Sequence, residues 1–169
     1  MKTKSFVLAL AILCSSAIFA QTEKGNLVVS GSTSLQIQNS SWSDDNGSTT
    51  TVQFNPSIGY FVANNLCVGV SLSVMSQDES SQFSILPSLG YYFPVQGSLK
   101  PYLQLGLGYG SLKSGSSSVG GLAVGAGGGV AYFLNENVSL DFGLQYLRND
   151  YDGYILNNVG GLVGFSIFF

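Results

Sequence analysis

Between residue 27 and the last residue, 169, apolar side chains return at every second position in eight separate runs: 27–38, 51–61, 66–75, 82–93, 101–110, 120–133, 138–147 and 156–169. In the first run Leu27, Val29, Leu35 and Ile37 alternate with Val28, Ser30, Ser32, Ser34 and Gln36. In the fifth, Leu103, Leu105, Leu107 and Tyr109 alternate with Gln104, Gly106 and Gly108. A period of two is the signature of an extended strand whose successive side chains point to opposite faces, so each run is a strand with one oily face and one small polar face.

Alternation alone leaves open whether the oily face turns inward, as in a soluble sandwich, or outward. The opposite face decides. A water-facing sheet carries Lys, Glu and Arg, whereas here it is built of Ser, Gly, Gln, Asn and Thr with Asp141 almost its only charge. Charged residues make up 9% of the chain, against about 25% in an ordinary soluble domain. Small neutral residues suit the inside of a narrow cylinder, and a closed cylinder satisfies every backbone group in hydrocarbon, where an open sheet edge would not. Each run is near or above the 9 to 11 residues that a tilted strand needs to cross a bilayer, and no stretch of about 18 apolar residues follows residue 21. The expected fold is therefore all-β, an eight-stranded antiparallel up-and-down transmembrane β-barrel.

The connections support this. Those at 62–65, 94–100 and 134–137 are mostly tight, and those at 39–50, 76–81, 111–119 and 148–155 are generally longer and polar, the asymmetry of turns and loops expected on opposite sides of a membrane. Aromatic residues sit near both ends of the oily face: Tyr60, Tyr91, Phe93, Tyr132 and Phe169 at one side, Phe83, Tyr109 and Tyr146 at the other, as interfacial girdles require. The sequence Pro56–Phe61, Pro-Ser-Ile-Gly-Tyr-Phe, echoes Pro87–Tyr92, Pro-Ser-Leu-Gly-Tyr-Tyr, which suggests a hairpin repeat. Proline gives no ladder hydrogen bond, so each site needs a bulge or a locally open pairing.

Lys2 and Lys4 precede an apolar stretch at 6–13 and small residues ending at Ala20, the order of a secretory signal peptide, so residues 1–20 are read as a signal and 21–169 as the barrel domain. Cys14 raises the alternative of a lipoprotein, against which stands Leu13, not a small residue, before it. Without Lys2 and Lys4 the 6 basic residues fall to 4 against 9 acidic ones, a net charge of −5, and nucleic acid is not an expected partner. Cys67, the only cysteine left, cannot form an internal disulfide and is read as a small packed residue.

Taken together, the signal segment, strand number, loop asymmetry, proline echo and terminal Phe169 resemble the small eight-stranded outer-membrane barrels of the OmpX and OmpA transmembrane type over the whole mature chain. The resemblance implies the cell outer membrane as location, its lipids as surroundings, and a last strand read by the barrel insertion machinery through Phe165, Ile167 and Phe169. It departs from full OmpA-type proteins in carrying no peptidoglycan-binding domain, so no cell-wall tether is expected.

The chain contains no histidine, which removes a Ser-His-Asp triad, and a single mature cysteine removes a His/Cys metal centre. No enzyme activity, cofactor or metal is expected. Gly106, Gly125 and their glycine neighbours in the fifth and sixth strands lack the Gly-Lys-Ser/Thr of a phosphate loop; they are read as lumen positions making room for Tyr92, Tyr102, Met75 and Phe133. Asp150-Tyr151-Asp152-Gly153 is a fragment of a calcium loop and is read as an ordinary solvated turn, with Asn46-Gly47 another. Asp141 in the lumen either pairs with Lys100 across the mouth or is simply hydrated. Trp42, Tyr151 and Tyr154 are candidate contacts for an unknown surface partner, or else anchors among lipid headgroups. The functional expectation is a non-enzymatic scaffold displaying four external loops. The alternative is a narrow channel or lateral transporter for small apolar molecules, of the OmpW type.

Overall fold

The computed structural model describes residues 22–38, 49–77, 80–151 and 154–169, and among them it forms one closed antiparallel barrel in which every strand pairs with its sequence neighbours and the last with the first. The strands are β1 Leu27–Gln38, β2 Thr49–Ala63, β3 Leu66–Gln77, β4 Ser80–Tyr92, β5 Leu99–Ser114, β6 Ser117–Phe133, β7 Val138–Tyr151 and β8 Tyr154–Phe168. Closure is made by the β1–β8 ladder from Val28↔Phe168 to Gln36↔Gly160 and finished by a reciprocal pair, Leu27 N to Phe169 O at 2.9 Å and Phe169 N to Leu27 O at 2.8 Å.

Following the register around the wall measures the stagger. From Gln36 it passes through Gly160, Gln145, Gly127, Gln104, Gly90, Cys67 and Phe61. It then returns to the start of the first strand at Asn26, whose carbonyl accepts from Phe61 N. The line has slipped from residue 36 to residue 26, a shear of ten. Over eight strands, with about 3.3 Å per residue and about 4.8 Å between strands, that stagger tilts the strands by about 40° and gives a cylinder just wide enough for side chains to fill.

The oily face points outward. Leu144 is 69% exposed, Leu105 61%, Val159 60% and Leu107 59%, values no soluble sheet would leave on its apolar side. Inward positions are mostly Ser, Gln, Asn and Gly, with most of the inward aromatic residues at one end. For a chain of this pattern the arrangement is stable only with hydrocarbon outside.

The start of β1 and the end of β8 lie at the same end, here the terminal end. Its turns are tight: Asn65 takes a left-handed backbone (φ 67) between β2 and β3, and the Asn135 side chain accepts from Asn137 N and Val138 N, each at 2.9 Å, between β6 and β7. The far end differs from the sequence expectation. β5 and β6 run on as a polar ribbon to a turn at Gly115 (φ 57) and Ser116, and only two residues separate β3 from β4 and β7 from β8. Of the four outer connections, only the one spanning 39–48 is longer. At about 40° of tilt each residue climbs about 2.5 Å, so ten residues cover the hydrocarbon and the remainder of the 16-residue β5 and 17-residue β6 projects beyond it.

Both prolines have the locally open pairing their chemistry demands. The β2–β3 ladder skips from Phe54↔Val74 to Ser57↔Ser71 past Pro56, and the β4–β5 ladder from Ile85↔Tyr109 to Ser88↔Gly106 past Pro87, with unchanged register. The irregularity in the β2–β3 ladder lies instead at the end of β2, between Phe61 and Ala63. Opposite the Pro87 opening, Gly108 comes so close to the Ile85 carbonyl that a β-carbon there would strike it.

Candidate functional site: the barrel lumen

The lumen is filled in layers. At the terminal end Phe61, Tyr92, Tyr102, Phe133 and Phe168 turn inward from five strands, with Val28, Cys67 and Ala131 between them. Ring centroids lie 5.7 Å apart for Phe61–Tyr92, 5.1 Å for Phe133–Phe168 and 5.7 Å for Tyr92–Tyr102. Phe61 and Ala131 are wholly buried and Phe168 is 1% exposed, so this layer is a packed stopper.

The segment leading into β1 lies across the same mouth. Thr22 is buried; its hydroxyl donates to Asn65 Oδ1 at 2.7 Å and accepts from Lys100 Nζ at 3.2 Å, while its carbonyl accepts from Asn65 N. The Lys100 ammonium also stands 5.3 Å above the centre of the Phe133 ring, a cation–π arrangement.

Above the stopper the side chains are smaller and the lumen opens into two overlapping cavities of about 70 and 100 Å³, sharing Ser32, Ser57, Ser88, Tyr102 and Gln104. A water needs on the order of 10–15 Å³ of such space, so this chamber holds several. Gln104 Nε2 donates to Ser71 Oγ and Gln145 Nε2 to Ser34 Oγ, each at 2.8 Å, which braces the wall from inside.

A second packed layer covers the chamber. Leu86, Ala123 and Leu147 form an apolar cluster on one side, and Ser34, Gln53, Ser73 and Ser84 complete the ring, all buried. Gln53 Nε2 donates to Ser73 Oγ and to Asn55 Oδ1. Beyond this septum, at the far end, lie Gln82, Asn149, Tyr151 and Asn158, each at most 4% exposed.

Gly106 and Gly125 are on the lumen wall, but the residue they accommodate is not one the sequence suggested. A β-carbon on Gly106 would stand 3.1 Å from Leu86 Cβ, and one on Gly125 would stand 3.1 Å from Leu86 Cδ2. Leu86 therefore fills the gap left by the glycines, while Tyr92, Tyr102 and Phe133 belong to the terminal stopper and Met75 lies on β3 toward the far end.

Lys100 and Asp141 do not pair. The lysine reaches outward to Thr22, and Asp141, 8% exposed, accepts from Ser139 Oγ at 2.8 Å and from Ser166 Oγ, whose own oxygen bonds Ser30 Oγ at 2.7 Å. Each Asp141 carboxylate oxygen has one serine donor, and the group also borders the chamber. The reason is geometric: Lys100 Nζ lies below the aromatic stopper, against Phe133, and the carboxylate lies at its upper edge beside the chamber.

Tyr60, Tyr91, Phe93, Tyr132, Tyr109 and Tyr146 stand exposed on the outer wall; Tyr91 and Phe93 meet edge to face at 5.2 Å, and Tyr146 OH donates to Asn157 Oδ1 at 2.8 Å. Phe165 and Phe169 are also outside, with Ile167 half-buried between them. Tyr151 departs from its expected place in an external loop: it ends β7, paired with Tyr154 across the hairpin, and its side chain is 1% exposed, because the strand continues past the apolar band and keeps odd positions of β7 facing inward. Trp42 and the acidic positions 44, 45, 78, 79 and 152 lie outside the described residues, as do the signal segment and the Asn46-Gly47 turn. Asp150 is described; it faces solvent 3.8 Å from Arg148 Nη2.

Residues 6–166 match the family model of the outer membrane protein beta-barrel domain. The chain belongs to this outer-membrane barrel family. Its place is the cell outer membrane. Among solved structures it is similar to Neisserial surface protein A, with 24% identity and a TM-score of 0.67 over 86% of this chain and 96% of that one. It is also similar to the N-terminal beta-barrel domain of Pseudomonas aeruginosa OprF, with 16% identity and a TM-score of 0.64 over 86% and 98%. The fold also accommodates catalysis, for the outer membrane enzyme PagL matches with 12% identity and a TM-score of 0.51 over 83% of this chain and 98% of that one. At these identities the likeness is one of fold. A comparison with curated protein sequences gave no match.

Proposed function

We propose that this barrel is a non-catalytic scaffold that displays its four outer connections above the outer leaflet. The observation that carries this reading is the pair of packed layers across the lumen. The aromatic stopper at Phe61 and Phe168 and the septum at Leu86, Ala123 and Leu147 pack across the lumen below and above the chamber, which supports a lumen closed to bulk flow. An eight-stranded barrel filled by its own side chains is a rigid support rather than a pore.

With the termini toward the periplasm, the far end faces outward, and Trp42 and Tyr154 are the candidate contacts for a surface partner; buried Tyr151 serves instead to pack the hairpin base. On the periplasmic side, Phe165, Ile167 and Phe169 are the residues through which the insertion machinery recognises the last strand. The non-catalytic reading is supported by the lack of a histidine to serve as the base of a hydrolytic triad.

Single-channel recording of the purified protein in planar lipid bilayers tests this directly. Silence is expected, and reproducible conductance steps contradict it. A second reading, lateral passage of small apolar molecules, draws on the chamber and the locally open pairing beside Pro56 and Pro87. It predicts faster uptake of an apolar fluorescent probe into vesicles containing the barrel than into empty ones. Mass spectrometry of lipid A from expressing cells covers the remaining enzymatic option, with an unaltered acyl pattern expected.

A further inference from the structure

Asp141 is an ionisable group buried beside a cavity with no cation to balance it. Its nearest partners are the hydroxyls of Ser139 and Ser166, with Ser30 bonded to the latter, and the groups lining the adjoining 70 Å³ cavity are Ser32, Ser57, Ser88, Gln104, Tyr92 and Tyr102. Among the described residues no Lys or Arg lines either cavity, and Lys100 is engaged below with Thr22 and Phe133. The other titratable groups facing the space are the Tyr92 and Tyr102 phenols and the Cys67 thiol, none of which can carry positive charge. An isolated carboxylate in such surroundings is costly unless a counter-charge neutralises it.

We propose that the lower chamber, floored by Asp141 and ringed by the Ser30 and Ser166 hydroxyls and the Gln104 amide oxygen, binds one monovalent metal cation, sodium or potassium. Oxygen donors suit hard cations. Gln104 Nε2 is committed to Ser71, which leaves its carbonyl oxygen as the free acceptor. A single carboxylate argues against a divalent ion, which draws on several anionic ligands, and among the described residues no cluster of three acidic, His or Cys side chains exists to supply them. A monovalent ion leaves the site neutral, and the two packed layers hold it in place once the barrel has closed.

The test uses the mature chain refolded from urea into detergent micelles at about pH 8, where a hydrated carboxyl is ionised. The medium is sodium chloride, potassium chloride or the chloride of N-methylglucamine, a cation too bulky for the chamber, at equal ionic strength. Wild type should show a saturable rise in thermal midpoint of about 3 °C on going from N-methylglucamine to sodium or potassium, and Asp141→Asn should show none. Ser30→Ala, which keeps the charge and removes one oxygen, should need about 3- to 10-fold more salt for the same rise, a loss of roughly 1 kcal/mol of ligand interaction, and it preserves the test if Asp141→Asn does not fold. The proposal is overturned if wild type is insensitive to the cation, if wild type and variant respond alike, or if the infrared spectrum of wild type carries a protonated carboxyl band that Asp141→Asn lacks, because the neutralising species is then a proton.

Discussion

The two ends of the lumen share one wall and one register, yet they are filled by opposite means. The terminal end is closed by five inward aromatic rings, three Phe and two Tyr, packed ring against ring. The far end is closed by amides and a phenol that are just as buried but less completely bonded: among the described residues Gln82 Nε2 and Oε1, Asn149 Nδ2, Tyr151 OH and both polar atoms of Asn158 find no hydrogen-bond partner, although Asn149 Oδ1 accepts from Ser84 Oγ at 3.1 Å. Apolar filling gains from every contact, whereas a buried amide without a partner forfeits about 1–3 kcal/mol. The outer third of the barrel is therefore expected to open before the terminal end.

Substitutions that interrogate this contrast range from large to slight. Removing a ring from the stopper, Phe61→Ala, should lower the urea-unfolding free energy in micelles by about 3–5 kcal/mol; a loss near that of a surface change would mean the rings do not pack as a unit. In the septum, Leu86→Ala should cost about 2–4 kcal/mol and admit water to the chamber, seen as quicker quenching of a chamber-facing fluorophore, because the glycines opposite cannot fill the space Leu86 leaves. Adding a methyl where the wall comes closest, Gly108→Ala, should cost about 1–3 kcal/mol through displacement of the Ile85 carbonyl. At the far end the sign reverses: Gln82→Leu, similar in volume and free of unpaired polar atoms, should leave stability unchanged or raise it by about 1 kcal/mol. A large loss there would mean that ordered water or a ligand satisfies Gln82. The smallest effect belongs to the outer wall, where Tyr146→Phe gives up the bond to Asn157 and should cost about 0.5–1 kcal/mol.

The same contrast governs what could be read from the sequence. Strand number, order and facing were legible because lipid outside and a narrow lumen inside impose a strict period of two. The strand limits at the terminal end came within two residues of the observed ones, since tight turns follow the apolar band directly. At the far end, β5 continues to Ser114 rather than stopping at Gly110, β7 to Tyr151 rather than Leu147, and β6 begins at Ser117 rather than Gly120. Oily alternation marks the thickness of the hydrocarbon, not the length of the strand, so a polar extension beyond the lipid looks like a loop.

Tyr151 was misplaced for that reason. The stopper is legible only in part: Tyr92, Tyr102 and Phe133 read as inward residues, and Phe61 and Phe168 complete it. Phe61, Tyr92, Phe133 and Phe168 each occupy the inward parity at the terminal end of β2, β4, β6 and β8, and that recurrence was present in the sequence. The Lys100–Asp141 pair could not be judged from register alone, because which side of the stopper each charged group lies on depends on how the rings pack.

The most direct test of the account is a nitroxide scan along β5 of the mature protein in lipid vesicles, with Cys67 replaced by alanine and labels placed in turn at Leu103, Gln104, Leu105 and Leu107. Labels at Leu103, Leu105 and Leu107 should be relaxed strongly by oxygen dissolved in lipid and hardly by a water-soluble nickel chelate, while the label at Gln104, in the closed chamber, should be shielded from both. Strong relaxation by the chelate at Gln104 would contradict a lumen sealed by two packed layers.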